Sequence, residues 1–382
     1  MSVRKRTWTT RRGETKQAWI VDYFDQQGDR CIQTFRTKKD ATDRHAEVRV
    51  DVRKGLHIAP SKSPTVIEAA ESWIKLVEAN GMKGDGPAER STVRQYRQHI
   101  NLHIVPRIGR MKLAELNTKR VEAFRDDLLS ALSRPLARKV LTSFKSLLKV
   151  ANCGHITHSV SIGSDKRKPK LEPGRDIPTP DEIKRLVAAV SVDDLKRRAL
   201  LLAVAFTGLR ASELRGLRWR DVDLKAGELH VRQRADRYNK VGAPKSSSSV
   251  RTLPLNDVLN AALKTWKIKS EHSGQDDFVF CTSTGQIEHH KNMLRSLSSV
   301  MQAAKLLDKK GEPKYGLHSI RHFFASWCIN SKDRGGRELP PKAVQYLLGH
   351  SSISITFDIY GHMFADKGDR SELNASVRQL LA

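Results

Sequence analysis

The sequence lacks several features that mark other classes of protein. Its 382 residues include only four cysteines, and no two of them have the C-x-x-C spacing of a zinc knuckle or a redox motif. It has no apolar run of transmembrane length, and no apolar segment follows the basic N-terminus as it would in a signal peptide. These absences argue against a disulfide framework, a membrane span and a secreted protein, and they predict a reducing, cytoplasmic setting.

Acidic residues are scarce relative to basic ones. The chain carries 69 Lys and Arg against 42 Asp and Glu, which gives a formal charge of +27 and a pI of about 10.1. Such a balance favours a polyanionic partner, and nucleic acid is the first candidate. Charge alone leaves open a basic protein of unrelated function, and the length predicts two or three domains.

Residues 1–60 have the pattern of a small unit of their own. The segments RTWTTRR, AWIVDYF and CIQTFRT read as three short strands separated by glycine-containing turns. A helix is predicted from about Lys39 to Lys54, and the unit contains fourteen Lys and Arg against eight Asp and Glu. By itself this layout also fits a small αβ cap or an oligomerisation module.

Residues 65–165 carry helical patterning. Apolar residues recur at helical spacing in four segments, of which the first contains Val66, Ala70, Trp73 and Val77. The sequence around Pro106 is expected to break the second helix, and Asn117 or Thr118 to cap the third. Lys and Arg on one exposed helix face ordinarily indicate only solvation, but their number across this small unit favours contact with DNA.

Two segments read as linkers by composition. The first is HIAPSKSP at residues 57–64, and the second is the proline-containing, basic KRKPKLEPGRDIP at residues 166–178, which is expected to be extended. The second linker ends at a helix start, where Thr179 is a good N-cap, Pro180 occupies the first position and Glu182 completes a capping box.

The segment TGLRASEL, residues 207–214, follows an apolar helix and contains Arg210 and Glu213. Taken singly, Arg210 would be a surface arginine near a helix start. Further along, two predicted strands, one ending at Val231 and the other RTLPL at residues 251–255, flank the hairpin tip NKVGAPKSSSSV. This tip offers two lysines, Lys240 and Lys245, each of which would ordinarily be a solvated loop residue.

The stretch from Gly316 to Phe364 brings chemically useful side chains together. It contains GLHSIRHFFASWC, with His318, Arg321 and His322 on one surface of a predicted helix, and then LLGHSSISITFDIYGHMF, with His350 and Tyr360. A helix ending at Gly349 and a further one starting near Ser351 or Ser352 would direct these groups to one spot. A phosphate fits the cation and the imidazoles, and a phenol beside a phosphate is a candidate nucleophile.

The order and spacing of these motifs resemble those of the tyrosine recombinases, the phage-type integrases. The matching parts are His-x-x-Arg-His at 318–322, Leu-Gly-His at 348–350, the tyrosine at 360, and the upstream Thr-Gly-x-Arg-x-x-Glu box at 207–213. The resemblance implies a multidomain, mainly α fold. Its parts would be an arm-type DNA-binding domain at 1–60 with a three-stranded sheet and a helix, a helical core-binding domain at 65–165, and a mixed α+β catalytic domain at 175–382.

The resemblance also implies a catalytic set and a role for each of its members. Tyr360 would attack the scissile phosphate and leave a 3′-phosphotyrosyl link, Arg210 and Arg321 would clamp the phosphate, and Lys245 would protonate the leaving oxygen. His318 would assist proton movement at the tyrosine, and His350 would hydrogen-bond the phosphate. Glu213 would hold its neighbours, and His322 is expected to be a supporting, hydrogen-bonded residue. Lys245 is preferred to Lys240 because it lies closer to the strand at 251–255.

The implied function is that of a site-specific recombinase that integrates or excises a phage or other mobile element. The implied partners are double-stranded DNA attachment sites, three further copies of the chain in a tetramer on DNA, and a directionality factor or DNA-bending protein, in a bacterial cytoplasm and with no cofactor or metal. Two alternatives share the fold or the chemistry: a type IB topoisomerase, and a DNA-binding or architectural protein that has lost activity.

Two further features bear on this interpretation. His318 and His322 are four residues apart, which suits zinc, but no carboxylate joins them and Arg321 between them would repel a cation. A zinc site is therefore disfavoured. Between Asn330 and Lys342 the sequence SKDRGGRELPP is longer than the family pattern leads one to expect, and it predicts an extended surface loop.

Overall fold

The computed structural model describes residues 2–11, 13–25, 28–53, 63–82, 84, 86–163, 170–364, 374 and 377–380. The contacts divide the chain into two compact units, Met1–Arg167 and Lys168–Ala382. The predicted linker positions 57–62 and 166–169 lie outside the described residues. The expected fold class is confirmed, with a small N-terminal sheet, a helical part and a mixed catalytic part. The boundaries of the three domains stay a prediction.

The first unit begins with an antiparallel three-stranded sheet. Its strands are β1 (Ser2–Thr9), β2 (Thr15–Phe24) and β3 (Arg30–Phe35), and helix α1 (Lys38–Arg53) follows. Val21 and Tyr23 on β2 pack with Ala41 and Val48 on α1 in a small hydrophobic cluster. The first strand begins four residues earlier than predicted, because its charged N-terminal half pairs with β2 through backbone groups while its side chains stay largely exposed.

The rest of the first unit is helical and has its own hydrophobic cluster. Its helices are α2 (Val66–Asn80), α3 (Arg90–His99), α4 (Val105–Ile108), α5 (Thr118–Ala131) and α6 (Arg134–Val150). All four apolar residues predicted to line the first helix are buried. Asn117 caps α5, one of the two residues proposed for this role.

The predicted break around Pro106 is wrong. A π-helical turn, Ile100–Ile104, joins α3 to α4, and the Val105 N–H donates to the Ile100 carbonyl five residues back. Proline has no N–H to donate, and in a regular helix its ring crowds the carbonyl four residues earlier. The wider π turn accommodates Pro106 at the start of α4 without ending the helical path.

The second unit surrounds a large hydrophobic core with helices. They are α7 (Pro180–Ala188), α8 (Leu195–Thr207), α9 (Ala211–Gly216), α10 (Asp257–Lys269), α11 (His290–Ala303), α12 (Leu317–Ile329), α13 (Pro341–Leu348) and α14 (Ile353–Tyr360). The short strands are β4 (Val222–Asp223), β5 (Glu228–Val231), β6 (Arg234–Ala235), β7 (Val241–Gly242) and β8 (Arg251–Pro254). Strands β4, β5 and β8 form one antiparallel sheet and β6 pairs with β7, so the predicted hairpin tip carries its own ribbon.

At the start of the second unit, one prediction made from the sequence is confirmed and another is wrong. The capping box of Thr179 and Glu182 is present, as predicted. The composition of the preceding residues 170–178 predicted an extended segment, and this prediction is wrong. They form a turn in which the Gly174 N–H donates to the Ile177 carbonyl, and Ile177 is buried. The burial of Ile177 thus holds this segment in a turn despite its basic, proline-containing composition.

The long loop between Asn330 and Lys342 folds back onto the end of α12. The Leu339 N–H donates to the Cys328 carbonyl, and the Trp327 indole N–H donates to the Gly335 carbonyl at 3.0 Å. The Arg337 guanidinium lies 5.5 Å from the centre of the Trp327 ring. These contacts attach the loop to the surface of α12. No helix in the described part of the chain is long and apolar enough to cross a bilayer.

Candidate active site

One cleft in the second unit contains all the residues predicted to be catalytic. Its volume is about 430 Å³. The predicted residues that line it are Arg210, Lys245, His318, Arg321, His350 and Tyr360, together with Glu213 and His322. The hairpin, the start of α9, helix α12, the turn after α13 and the end of α14 all contribute, so residues 150 positions apart meet at one place.

Arg321 is the most deeply held cation of the cleft. It is 3 % exposed, and its guanidinium donates to the Leu348 carbonyl at 2.6 Å and to the Gly208 carbonyl. Burial lowers the pKa of Arg321 to about 9, and the charge of Arg210 acts in the same direction. The group still carries its charge at neutral pH, and an incoming anion would offset the cost of burying it.

Arg210 is joined to the same turn through a different carbonyl. Its guanidinium donates to the Gly349 carbonyl at 2.8 Å and to Glu213 at 2.7 Å. The turn is available because Gly349 adopts the left-handed conformation that ends α13, as the sequence predicted. The two guanidiniums are therefore fixed by neighbouring carbonyls of a single helix end.

A third arginine, Arg251, was not among the predicted site residues. Its side chain is fully buried and donates to Glu213 at 3.0 Å and to the Leu347 carbonyl at 2.8 Å. Burial alone would raise the pKa of Glu213, but the charges of Arg251 and Arg210 outweigh it and hold that pKa below its ordinary value. Glu213 thus links both arginines, and nothing in the local sequence marks Arg251 as a buried residue of the site.

His350 lies beside this arginine cluster and is itself buried. Its Nδ1 is 3.0 Å from the hydroxyl of Thr356, and a neutral ring that accepts there keeps its Nε2–H as a donor. Burial, reinforced by Arg321 and Arg210, lowers the pKa of His350 to about 3. The ring is therefore neutral near pH 7.

This depressed pKa predicts a loss of stability in mild acid. The unfolded chain binds a proton at this histidine near its ordinary pKa of 6.5, whereas the folded chain does not. Stability is therefore fully present above pH 6.5 and falls below it, by about 1.4 kcal/mol for this group at about pH 5.5. We expect the free energy of unfolding of His350→Asn to fall less than that of the wild type between about pH 8 and 5.5, in urea titrations. Equal slopes would contradict the assignment.

Tyr360 is among the residues that line the cleft, although it is only 1 % exposed. Burial raises the pKa of Tyr360 above its ordinary value of about 10, and Arg321 acts in the opposite direction. The hydroxyl lies 2.6 Å from Nδ1 of His322. The imidazole beside the phenol is therefore that of His322, the residue that the sequence placed in a supporting role. His318, which the sequence connected with the tyrosine, lies exposed on the preceding turn of α12.

The hairpin tip brings Lys245 to the rim of the cleft. Lys245 is exposed and lines the cavity, whereas Lys240 is not among the cavity's lining residues. The root of the hairpin is fastened to α9, since the buried Arg215 donates to the Asp236 carbonyl at 2.9 Å and Gln233 donates to the Gly216 carbonyl at 2.6 Å. Helix α9 thereby connects Arg210 at one end with the lysine-bearing hairpin at the other.

Gly208 is required where α8 approaches α12. Its φ is +62°, and a Cβ at this position would overlap the Phe324 ring, with Cε1 at 2.9 Å. The carbonyl of the same residue accepts from Arg321. Glycine therefore permits both the left-handed turn and the close packing that fixes the arginine.

We expect Gly208→Ala to destabilise the protein by ~2–4 kcal/mol, because a left-handed alanine costs ~1–2 kcal/mol and overpacking adds to it. Gly335→Ala is the matched control, since Gly335 has a φ of +70° but nothing within 4 Å of its added Cβ. It should cost ~1–2 kcal/mol from the backbone alone. Denaturant unfolding of both variants measures the difference, and equal losses would show that the Phe324 contact is unimportant.

The described residues include no group of three or more His, Cys, Asp or Glu side chains arranged to hold a metal ion. His318 and His322 instead contact each other edge to face, with ring centres 4.4 Å apart. The charges that act on His318 are those of Arg321 and Arg210, and such cations suit an anionic ligand.

Comparisons with known proteins identify the family that this chain resembles. Residues 178–367 match the model of the phage integrase family, and residues 88–129 match that of the phage integrase N-terminal SAM-like domain. A tyrosine recombinase XerC-like protein of Caldanaerobacter subterraneus subsp. tengcongensis is 28% identical over 359 residues, which cover 86% of each chain. An integrase of Streptomyces ambofaciens is 26% identical over 377 residues, covering 91% of this chain and 90% of the relative.

Solved structures show the same fold. The integrase of transposon Tn1549, in complex with a circular intermediate DNA, superposes with a TM-score of 0.64 at 19% identity, over 83% of this chain and 100% of that one. A lambda integrase dimer bound to a core site superposes with a TM-score of 0.55 at 16% identity, over 95% of each chain.

Proposed function

Because the chain belongs to the phage integrase family of tyrosine recombinases, we propose that it cuts and rejoins DNA strands at specific sites of a mobile element through a 3′-phosphotyrosine at Tyr360. The observation that carries this proposal is the arrangement of the cleft, in which a tyrosine and two arginines with anchored guanidiniums line one cavity. The ICEBs1 integrase of Bacillus subtilis, which is 23% identical over 70% of this chain, supports a mobile element as the context.

Each residue of the cleft has a distinct part in the proposed reaction. Arg210 and Arg321 bind the non-bridging oxygens of the scissile phosphate, where negative charge builds in the transition state. Their existing bonds to carbonyls fix the guanidinium planes, so little reorganisation is needed when the phosphate binds. His350 donates from Nε2 to the phosphate while Nδ1 accepts from Thr356.

Bond making and breaking balance without a cofactor. The Tyr360 oxygen forms a bond to phosphorus, the bond to the 5′ oxygen breaks, and Lys245 gives that oxygen a proton. An imidazole of α12 takes up the tyrosine proton. Because the phosphotyrosine conserves the phosphodiester energy, a 5′-hydroxyl from another strand reverses the step and joins it to the new partner.

We propose double-stranded attachment sites as the substrate and a tetramer on two of them as the working assembly, in a bacterial cytoplasm. The charge of +27 supports the DNA partner. A related solved structure is a lambda integrase tetramer bound to a Holliday junction, with a TM-score of 0.54 at 17% identity. A directionality factor or a DNA-bending protein completes the proposed set of partners.

Covalent trapping tests the proposed function. The full chain is mixed with a nicked attachment-site duplex from which the cleaved fragment diffuses away, so that a phosphotyrosyl adduct cannot be resealed. We expect a protein–DNA species that survives denaturation and is removed by protease. Absence of this species on a site that the protein binds would overturn the enzymatic proposal and favour the inactive DNA-binding alternative.

A further inference from the structure

We propose that His322 accepts the proton of Tyr360 when the tyrosine attacks DNA, and that it is a catalytic residue of this chain. The inference rests on the proposed function, since it assigns the proton of the proposed nucleophile. It differs from the prediction made from the sequence, which connected His318 with the tyrosine proton and gave His322 only a supporting place.

The geometry favours His322 over its neighbour. Its Nδ1 lies 2.6 Å from the Tyr360 hydroxyl, within the range of a short O–H···N hydrogen bond. The two rings meet edge to face with centres 5.6 Å apart. The ring of His318 contacts that of His322, and in the described part of the chain the hydrogen-bonding partner of the phenol is His322. A proton acceptor must lie within hydrogen-bond reach of the proton that it takes.

The surroundings keep this imidazole neutral and able to accept. The groups that face it are His318 and Arg321 on its own helix, Asp176 on the turn before α7, and Tyr360 on α14. Burial, His318 and Arg321 lower the pKa of His322 to about 4, and Asp176 opposes them. With the ring neutral and Nδ1 facing a phenol, the phenol is the donor of this bond.

Binding of DNA changes the balance in the direction that the reaction needs. The free protein holds Tyr360 as a neutral phenol, because both the burial of the phenol and the low basicity of His322 oppose transfer. A scissile phosphate adds negative charge beside both rings and raises the affinity of the imidazole for a proton. The free enzyme thus protects its nucleophile, and the substrate itself helps to activate it.

The proposed step balances. As the Tyr360 oxygen bonds to phosphorus, its proton moves to Nδ1 of His322 and gives an imidazolium, while Lys245 protonates the departing 5′ oxygen. On rejoining, the 5′-hydroxyl returns its proton to Lys245, and the imidazolium returns its proton to the tyrosine oxygen. His322 and Lys245 therefore act on opposite sides of the phosphorus.

This division provides an experiment that separates the two proton transfers. The full chain and its variants His322→Ala, His322→Asn, His318→Ala and Lys245→Ala are compared in single-turnover cleavage of a nicked attachment site. One substrate has an ordinary scissile phosphate, and the other has sulfur in place of the bridging 5′ oxygen. A thiolate leaves without being protonated, so the sulfur substrate removes the need for Lys245 and not the need for a proton acceptor at the tyrosine.

We expect His322→Ala to cleave the ordinary substrate about 10²–10³-fold more slowly than wild type. On the sulfur substrate it should be slower than wild type by the same factor. Lys245→Ala, in contrast, should recover its cleavage rate on the sulfur substrate. Added imidazole should restore part of the His322→Ala rate, which also shows that this variant is folded. His322→Asn can hold the phenol by a hydrogen bond but cannot take its proton, so it should be as slow as His322→Ala. A purely structural role would leave the asparagine variant near wild type.

Three results would overturn the inference. They are cleavage by His322→Ala within about threefold of wild type, recovery of His322→Ala on the sulfur substrate, or rescue by imidazole of His318→Ala in place of His322→Ala. Failure of the proposed function is recognised separately, because the wild type would then form no covalent adduct on these substrates, or Tyr360→Phe would still cleave them.

Discussion

Tyr360→Phe is expected to abolish formation of the covalent protein–DNA adduct while leaving DNA binding unchanged. The substitution removes one oxygen and little volume, so the ring still fills its buried place at the end of α14. The lost atom is the proposed nucleophile, and the other residues of the cleft can bind a phosphate but cannot form the same ester. Adduct formation on the nicked substrate, with binding measured by gel shift, checks this.

Tyr346→Phe provides the matched control for that variant. Tyr346 lies on α13 in the same motif region, is 53% exposed, and uses its oxygen to accept the Thr252 N–H at 3.2 Å. We expect this variant to form adduct at the wild-type rate. If the adduct persists in Tyr360→Phe and disappears in Tyr346→Phe, the nucleophile is Tyr346 on α13 and our proposal is wrong.

Arg321→Lys is expected to lower the cleavage rate by about 10²–10³-fold with the charge unchanged. The guanidinium donates to the carbonyls of Gly208 and Leu348 and still has N–H groups for a phosphate. A lysine ammonium is a single point of charge on a flexible stem, so it cannot hold both carbonyls and present a planar fork. The measurement is single-turnover cleavage at saturating DNA, where a binding defect does not contribute.

The corresponding control exchanges arginine for lysine at an exposed position outside the cleft. Arg334 lies on the long loop before α13 with a side chain that is 79% exposed. Arg334→Lys should cleave within about twofold of wild type, since surface ion pairs contribute little. An Arg321→Lys variant that is folded and within tenfold of wild type would show that the fork geometry is unimportant.

The local sequence predicted those elements of the catalytic unit whose helix ends carry a clear capping signal. Helix α7 begins at the capping box of Thr179 and Glu182, and α13 ends at Gly349 with a left-handed φ. These are short-range interactions between residues a few positions apart, so spacing alone was sufficient. Several predicted site residues lie at or next to such helix ends, so local spacing was sufficient to locate them on their elements.

Long-range contacts were the part that spacing could not provide. Arg251 reaches Glu213 and Leu347 from a strand far along the chain, and no local pattern distinguishes it from an exposed strand residue. His322 was recognised as part of a motif, but its contact with Tyr360 depends on how α14 packs against α12. The turn at 170–178 likewise depends on the burial of Ile177, which composition does not reveal. The π turn before Pro106 is a local adjustment of the helix that the proline signal did not predict.

The position of the covalent bond is the most direct test of the central claim. The trapped adduct is trimmed with nuclease and digested with trypsin, which releases the peptide from Ala343 to Lys367 with both Tyr346 and Tyr360. Fragmentation mass spectrometry should find a 3′-linked nucleotide on Tyr360 and no modification of Tyr346. The released DNA strand should carry a free 5′-hydroxyl. A nucleotide on another residue, or a linkage through the 5′ end, would contradict the proposed chemistry.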